Sequence, residues 1–169
     1  NQADIGGAIK TRQTVARLFI EEGDVSQAQL FGQSLQFVFL RAFTDEQALA
    51  QWLPPYGFTA RVHTLDARKG GGHRMSFTNF TTGDSHAFGG EYLDFEPGRL
   101  LRYSDRFDDP NLPGEMIVTV EFTAVSVGTE LRIQQEGVPD VIPLESCYLG
   151  WQESLDKLAR LVTPEITNG

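Results

Sequence analysis

The amino-acid sequence predicts an α+β domain, in which a curved antiparallel sheet of six to seven strands wraps around a long C-terminal helix. Three observations support this fold class. Apolar residues recur at spacings of three and four from Tyr148 to Val162, which indicates an amphipathic helix. Between Phe58 and Gln135 apolar and polar residues alternate, and only short turns separate the segments, so the strands form antiparallel hairpins. Two short helical patterns come before these strands.

The N-terminal part has weak patterning, and we treat residues 1–23 as an extension of open structure. Residues 15–20 fit a short helix or a strand equally well. Residues 24–27 fit a helix-capping box, whereas 28–31 fit a short strand, and the two assignments compete. The element order that we expect is a short first strand followed by two helices.

The two short helices are predicted in tandem. Residues 35–42 have helical spacing of their apolar side chains. Thr44 and Gln47 have the spacing of a capping box that opens a second helix. Pro54 and the proline after it must stop that helix, because proline has no backbone N–H to donate.

The strand region begins at Phe58 and is divided by recognisable turns. Three turns reverse the direction of the chain: Gly70 with the two glycines after it, Thr82-Gly83, and Pro97-Gly98. The pair Pro97-Gly98 suits the central positions of a type II turn. The first two strands lie on either side of the three glycines. The later strands are predicted at 85–95, 100–107, 116–123 and 129–135.

The C-terminal helix can begin at Pro143, which is admissible in a first turn, and Thr163-Pro164 ends it. Cys147 lies in an apolar part of this helix and is interpreted as a buried, unreactive thiol. Gly150 costs about 1 kcal/mol of helix propensity relative to Ala, so we expect a close approach of the helix backbone to the sheet or to a cavity.

Composition and charge limit the domain count and the partners. The 169 residues suit one domain, which we place at 24–163 with a tail at 164–169. The 14 Lys and Arg against 23 Asp and Glu give a net charge of -9, the wrong sign for nucleic acid or an anionic membrane. We expect no membrane-spanning segment and no secretory signal. A single cysteine cannot form an internal disulfide, and the predicted location is cytoplasmic, as monomer or homodimer.

Several short motifs together resemble one protein family. They are Arg41-Ala42-Phe43-Thr44-Asp45, Trp52-Leu53-Pro54-Pro55, Leu65-Asp66-Ala67-Arg68, Gly90-Glu91-Tyr92 and Gly150-Trp151. The chain resembles, over about 39–162, the bacterial homologues of the activator of the ninety-kilodalton heat-shock protein ATPase. These form a branch of the SRPBCC (START-like, birch-pollen-allergen-like) superfamily. The first 35 residues depart from the pattern, because Leu35 stands where the family usually has proline.

The resemblance implies the helix-grip fold with a cavity between the sheet and the C-terminal helix. In the wider superfamily this cavity holds lipids, sterols, polyketides or plant hormones. For this branch the resemblance implies no common ligand or reaction. It suggests a protein partner as a further possibility, because the named relative is a chaperone activator.

No catalytic residue, metal or cofactor is predicted. His63, His73 and His86 lie on different strands without a zinc-binding spacing, and His86 is expected opposite Asn79. We interpret the three histidines as surface or rim residues. Nucleophile-elbow, Walker A and dinucleotide-binding motifs are absent from the sequence.

The candidate site follows from the side chains that share the apolar phase of the strands and helix. Asn79, Asp105 and Gln135 are polar residues in this phase, and each is either solvated at a strand end or a polar group at a pocket mouth. The predicted ligand-binding residues are Trp52, Phe77, Tyr92, Tyr103, Asp105, Val118, Tyr148, Trp151 and Leu155.

The predicted function is non-catalytic binding of a small apolar or amphipathic molecule in the cavity. The first alternative is an enzyme of the same fold that uses Asp105 or Tyr103 as acid or base. The second is an adaptor that binds protein partners. An enzyme requires a strongly shifted ionisable group in the cavity, an adaptor an exposed apolar patch, and a binding protein a closed apolar pocket with few polar groups.

Overall fold

The computed structural model describes residues 13–21, 35–125 and 128–163. Within these ranges the strands are β1 (Gln13–Glu21), β2 (Phe58–Leu65), β3 (Gly72–Asn79), β4 (Ser85–Glu96), β5 (Leu100–Phe107), β6 (Met116–Val125) and β7 (Gly128–Glu136). The helices are α1 (Leu35–Thr44), α2 (Glu46–Trp52) and α3 (Leu144–Val162).

The seven strands form one antiparallel sheet with the order β1-β7-β6-β5-β4-β3-β2. From β2 to β7 each strand pairs with the next strand in the chain, as short hairpin links require. The sheet curls around α3, and the two short helices follow the first strand. The predicted α+β helix-grip architecture is confirmed. None of the described helices is both long and apolar enough to cross a membrane.

The segment that fitted both helix and strand is a strand. β1 pairs with β7 over its whole length, from Gln13 opposite Glu136 to Glu21 opposite Gly128. Ala16 is buried in the core, so this strand contributes to the packed interior. The competing assignments at 24–27 and 28–31 lie outside the described residues.

The capping residue predicted for α2 is wrong by one position. Asp45, rather than Thr44, caps α2, because its side chain accepts a hydrogen bond from the backbone N–H of Ala48 at 2.8 Å. The hydroxyl of Thr44 instead donates to the carbonyl oxygen of Leu40 at 2.9 Å within α1. The helix α2 ends at Trp52, and its C-cap residue Leu53 directly precedes the two prolines that were expected to stop it.

Two adjacent glycines in β4 lie in close contact with the backbone of both neighbouring strands. A Cβ atom on Gly89 would lie 2.3 Å from the carbonyl oxygen of His73 in β3, and one on Gly90 would lie 2.1 Å from that of Ser104 in β5. No real side chain tolerates such distances, so both positions require glycine. The neighbouring strands therefore approach β4 more closely than side chains would allow.

The core lies between the sheet, the two short helices and the C-terminal half of α3. Leu155, Leu158 and Val162 of α3 are buried within it. Trp52 is completely buried, packs edge-on against Phe43 at 4.7 Å between ring centroids, and donates its indole N–H to the carbonyl oxygen of Ala42 at 2.8 Å. This end of the domain is filled by side chains.

The loop between α2 and β2 is tied to α3 by hydrogen bonds. The hydroxyl of Ser154 donates to the carbonyl oxygen of Leu53 at 2.6 Å, and the ammonium of Lys157 donates to that of Pro54 at 2.7 Å. This loop covers one side of the sheet's interior. The two hydrogen bonds fix the distance between the loop and α3.

We predict that Trp52→Ala lowers the free energy of unfolding by about 3–5 kcal/mol, because it removes a fully buried ring and a hydrogen bond. Tyr148→Ala is the matched control, since this aromatic side chain is exposed, and its change should stay within about 0.5 kcal/mol. Urea unfolding of both variants measures the difference. Equal losses would show that Trp52 is not part of the stabilising core.

Candidate ligand-binding cavity

A cavity of about 350 Å³ lies between the first half of α3 and the sheet. Its walls come from β2 to β7, from the loop after α2, from the loop after β5, and from α3 with the residues that lead into it. The lining residues are Leu53, Pro55, Phe58, Phe77, His86, Phe88, Tyr103, Asp105, Phe107, Leu112, Met116, Val118, Gln135, Ile142, Ser146, Cys147, Gly150, Trp151 and Ser154. Apolar and aromatic side chains predominate among them.

Five of the nine predicted site residues line this cavity, namely Phe77, Tyr103, Asp105, Val118 and Trp151. Four of them lie on strands, where alternation places every second side chain on the same face. Trp151 comes from the helix stripe. The cavity therefore lies where the inward faces of the sheet and the first half of α3 meet.

Four predicted residues lie elsewhere. Trp52 and Leu155 are buried in the core, at the end of the domain where α3 packs closely. Tyr148 is 48% exposed, and its hydroxyl oxygen accepts a hydrogen bond from the side-chain amide of Gln152 at 2.8 Å. The reason is helix rotation, since the residues of α3 that line the cavity are Ser146, Cys147, Gly150, Trp151 and Ser154, and Tyr148 lies off this face. Tyr92 lines a neighbouring cavity of about 30 Å³.

The interpretation of Cys147 needs correction, and the expectation for Gly150 holds for the cavity but not for the sheet. Cys147 is half-buried and lines the cavity rather than being enclosed in the core. At Gly150 the helix backbone does not approach the sheet closely, because a Cβ atom there would have no neighbour within 4 Å. Gly150 is part of the cavity wall, and because it has no side chain, the space beside it stays open.

Two of the three in-phase polar residues face the cavity. Gln135 accepts a hydrogen bond from the indole N–H of Trp151 at 3.0 Å, and its amide nitrogen contacts the sulfur of Met116 at 3.4 Å. Asp105 is the other, and only 9% of its surface is exposed. Asn79 instead caps the β3–β4 turn, because its side-chain oxygen accepts from the backbone N–H of Thr81 at 2.9 Å.

His73 corrects the interpretation that the histidines are surface or rim residues, since it is only 5% exposed. Its ring lies 5.5 Å from that of Tyr92 and 5.2 Å from that of Tyr103, between centroids. Its Nε2 lies 3.5 Å from Oδ1 of Asp105. The sequence contained a signal for this position, because His73 shares the phase of Met75 and Phe77 on β3.

The contact between His73 and Asp105 is too long for a normal hydrogen bond, which spans about 2.7–3.2 Å. Accordingly, Nδ1 of His73 and Oδ1 of Asp105 are both buried without a hydrogen-bond partner. Buried polar atoms without partners are costly, at about 1–3 kcal/mol each. The pair therefore marks a place where the fold leaves hydrogen-bonding capacity unused.

The pairing register explains how residues on β3 and β5 meet across β4. His73 is opposite Gly90, and the pairs Gly89–Arg106 and Tyr92–Tyr103 place Gly90 opposite Asp105. Because glycine has no side chain, His73 and Asp105 approach each other across the intervening strand. Gly90 thus helps to assemble the polar cluster.

The other histidines are exposed, as expected for surface residues. His86 pairs with Phe77 rather than with Asn79, because Asn79 is already part of the turn, where its N–H donates to the carbonyl oxygen of Asp84 at 2.8 Å. In the described ranges, no three His, Cys, Asp or Glu side chains come together as a metal-binding set. The expectation of no metal stays a prediction.

The two tyrosines of the cluster have raised pKa values. Burial raises the pKa of Tyr103 well above 10, and the charge of Asp105 adds to this effect. Burial and Asp105 also raise the pKa of Tyr92. Tyr103 is half-buried and lines both cavities. Both hydroxyls stay protonated at neutral pH.

Comparison with known proteins agrees with this geometry. The family described as "Activator of Hsp90 ATPase homolog 1-like protein" matches residues 38–163, which is most of the chain. The chain belongs to this family. The resemblance noted from the sequence motifs is therefore confirmed, and the match includes α1 from residue 38 onward, α2, β2 to β7 and α3.

Solved structures place the activator-like chain among related bacterial proteins. A crystal structure from Chromobacterium violaceum is 47% identical, with a TM-score of 0.78, and covers 90% of this chain and 99% of its own. A Silicibacter pomeroyi protein described as AHSA1 is 19% identical, with a TM-score of 0.68 over 88% of this chain and 97% of its own. A Rhodobacter sphaeroides protein is 20% identical, with a TM-score of 0.69, and covers 91% of this chain and 95% of its own. No curated protein matches the chain.

We predict that Gly150→Ala raises the free energy of unfolding by about 0.5–1 kcal/mol, because alanine favours the helix and its Cβ enters open cavity space. Gly90→Ala is the control, since its Cβ would collide with the carbonyl oxygen of Ser104, and it should be strongly destabilising. Chemical unfolding curves measure both changes. A loss of stability in Gly150→Ala would mean that the wall at this position is closed.

We predict that stability falls as the pH rises above about 10, the pKa of tyrosine in an unfolded chain. The raised pKa values in the folded state mean that the unfolded state loses tyrosine protons first, so high pH favours unfolding. Each buried tyrosine contributes up to about 1.4 kcal/mol per pH unit. The free energy of unfolding of Tyr103→Phe, measured from pH 8 to 12, should fall less steeply than that of the wild type. Parallel curves would contradict the shift at Tyr103.

Proposed function

We propose that this member of the activator-like family binds a small apolar or amphipathic molecule in the cavity and does not catalyse a reaction on it. The observation that carries the proposal is the apolar cavity of about 350 Å³ between α3 and the sheet. Its volume falls in the range of about 300–1,000 Å³ that is usual for small-molecule sites. Mostly apolar walls with a few polar groups also match such sites.

An unfilled apolar cavity has an energetic cost, which favours an occupant. Side chains that line empty space lose the dispersion contacts they would make in a packed core. Phe77, Phe88 and Phe107 present aromatic surface to this space. An apolar molecule that fills the cavity would restore those contacts, so binding and stability should increase together.

The electrostatics favour binding over proton transfer by Tyr103. A general acid works best when its pKa lies near the operating pH. Burial raises the pKa of Tyr103 far from neutrality, so its hydroxyl donates a hydrogen bond rather than a proton. The raised pKa argues against the enzyme alternative in which Tyr103 acts as acid or base. A hydroxyl that stays protonated suits a residue that orients a ligand.

The proposal is tested by blocking the cavity from α3. Gly150→Leu places a side chain into the open space beside the helix, whereas Gln152→Leu adds the same residue on the exposed face of the same helix. An apolar reporter dye that fluoresces in dry sites is titrated into each protein. We expect the wild type and Gln152→Leu to bind it alike, and Gly150→Leu to bind at least about tenfold more weakly.

Native mass spectrometry of freshly purified protein provides a second measurement. A small molecule that is retained by the wild type and lost from Gly150→Leu supports the proposal. If neither the dye nor a retained molecule distinguishes Gly150→Leu from Gln152→Leu, the cavity is not the binding site. The adaptor alternative would then be favoured.

A further inference from the structure

We propose that the molecule bound in the cavity carries a protonated amine, which pairs with the carboxylate of Asp105. This inference rests on the proposed function and names the chemical class of its ligand. Asp105 lies in the wall of the main cavity and also borders the small cavity beside Tyr92. It therefore stands at the junction of the two spaces.

The carboxylate of Asp105 has unused hydrogen-bonding capacity. Its Oδ1 is buried and accepts no hydrogen bond, and the residue as a whole is 9% exposed. A buried anion is stable only when it is paired or hydrogen-bonded. Oδ1 is directed at His73, but the side chain as a whole keeps 12% of its surface exposed and lines the cavity, so a donor group on the ligand can reach the carboxylate there. A charged donor supplies a stronger bond than a neutral hydroxyl.

The lining residues offer little positive charge to compensate Asp105. No Lys or Arg of the described residues lines either cavity. His73 is the one basic group close to the carboxylate among them, and its Nε2 stays 3.5 Å from Oδ1 without a hydrogen bond. The net charge of -9 further favours a cation over an anion as the ligand.

Aromatic residues neighbour Asp105 in the cavity wall. Tyr103 and Phe107 are two residues before and after Asp105 on β5, and alternation puts all three on the same face. Phe88 on β4 is opposite Phe107. A cation beside aromatic faces gains about 0.5–2 kcal/mol from the ring quadrupoles. A carboxylate flanked by aromatic rings thus suits an ammonium group attached to an apolar body.

Gln135, a further polar residue of the cavity wall, is compatible with this orientation. The side-chain oxygen of Gln135 already accepts from Trp151, and its nitrogen meets only the weakly accepting sulfur of Met116. Gln135 can therefore donate to a second, accepting group of the ligand. It does not compete with the amine for Asp105.

The test uses four compounds that share one apolar body and differ at one end: 4-phenylbutylamine, 4-phenylbutan-1-ol, butylbenzene and 4-phenylbutanoate. Dissociation constants are measured by calorimetry at pH 7, where the amine is charged. For the wild type we expect the amine to bind roughly tenfold or more tightly than the alcohol, and the carboxylate to bind most weakly. This comparison within the wild type does not depend on any variant being folded.

Asp105→Asn keeps the shape of the side chain and removes its charge. We expect it to lose the preference for the amine while its affinity for the alcohol and for butylbenzene changes little. Asp84→Asn is the matched control, because it removes one negative charge at an exposed turn and should retain the preference. Circular dichroism establishes that both variants are folded.

The outcomes separate this inference from the proposed function. If butylbenzene and the alcohol bind the wild type and the amine has no advantage, the cavity binds apolar molecules but the amine inference is wrong, with His73 the candidate for neutralising Asp105. An amine preference that persists in Asp105→Asn also overturns the inference. If none of the four compounds binds the wild type, both the inference and the proposed function fail.

Discussion

The structure depends on the anchoring of α3 along only one half of its length. Leu155 and Leu158 are packed against the core, whereas Gly150 and Trp151, about one to two turns earlier, face open volume. A sheet that curls around a single helix encloses space that the helix must fill with side chains. Where α3 carries glycine instead of a large residue, that space remains. The cavity is thus a consequence of how one helix packs against a curved sheet. The contacts of α3 that stabilise the domain also define where the cavity ends.

A second feature of the fold brings polar groups to this space. Gly90 sits between His73 and Asp105 in neighbouring strands, and without a side chain it lets them approach to 3.5 Å. The same glycine therefore helps to place at the cavity wall a carboxylate whose Oδ1 accepts no hydrogen bond. Stability alone favours an apolar residue at such a position, and this cost is the physical reason for assigning Asp105 a role in binding.

Sequence reasoning located the strand residues of the site better than the helix residues. Phe77, Tyr103 and Val118 line the cavity, as the strand phase predicts, because a strand has only two faces and one apolar face is inward. A helical stripe is broader, and its spacing does not tell whether a residue meets core, cavity or solvent. Tyr148 and Leu155 belong to one stripe, yet one is exposed and the other is in the core. His73 was missed although its phase on β3 was readable.

The sequence by itself determined the fold class, the sheet direction and most element boundaries, because alternation, helical spacing and turn residues act over a few neighbouring positions. Only the tertiary structure decided that residues 13–21 form a strand, since its partner β7 lies more than 100 residues away. It also decided that Asp105 meets His73 and that Gly150 borders open space. Those facts depend on the curl of the sheet and the rotation of α3, which arise from many distant contacts together and leave no local pattern in the chain.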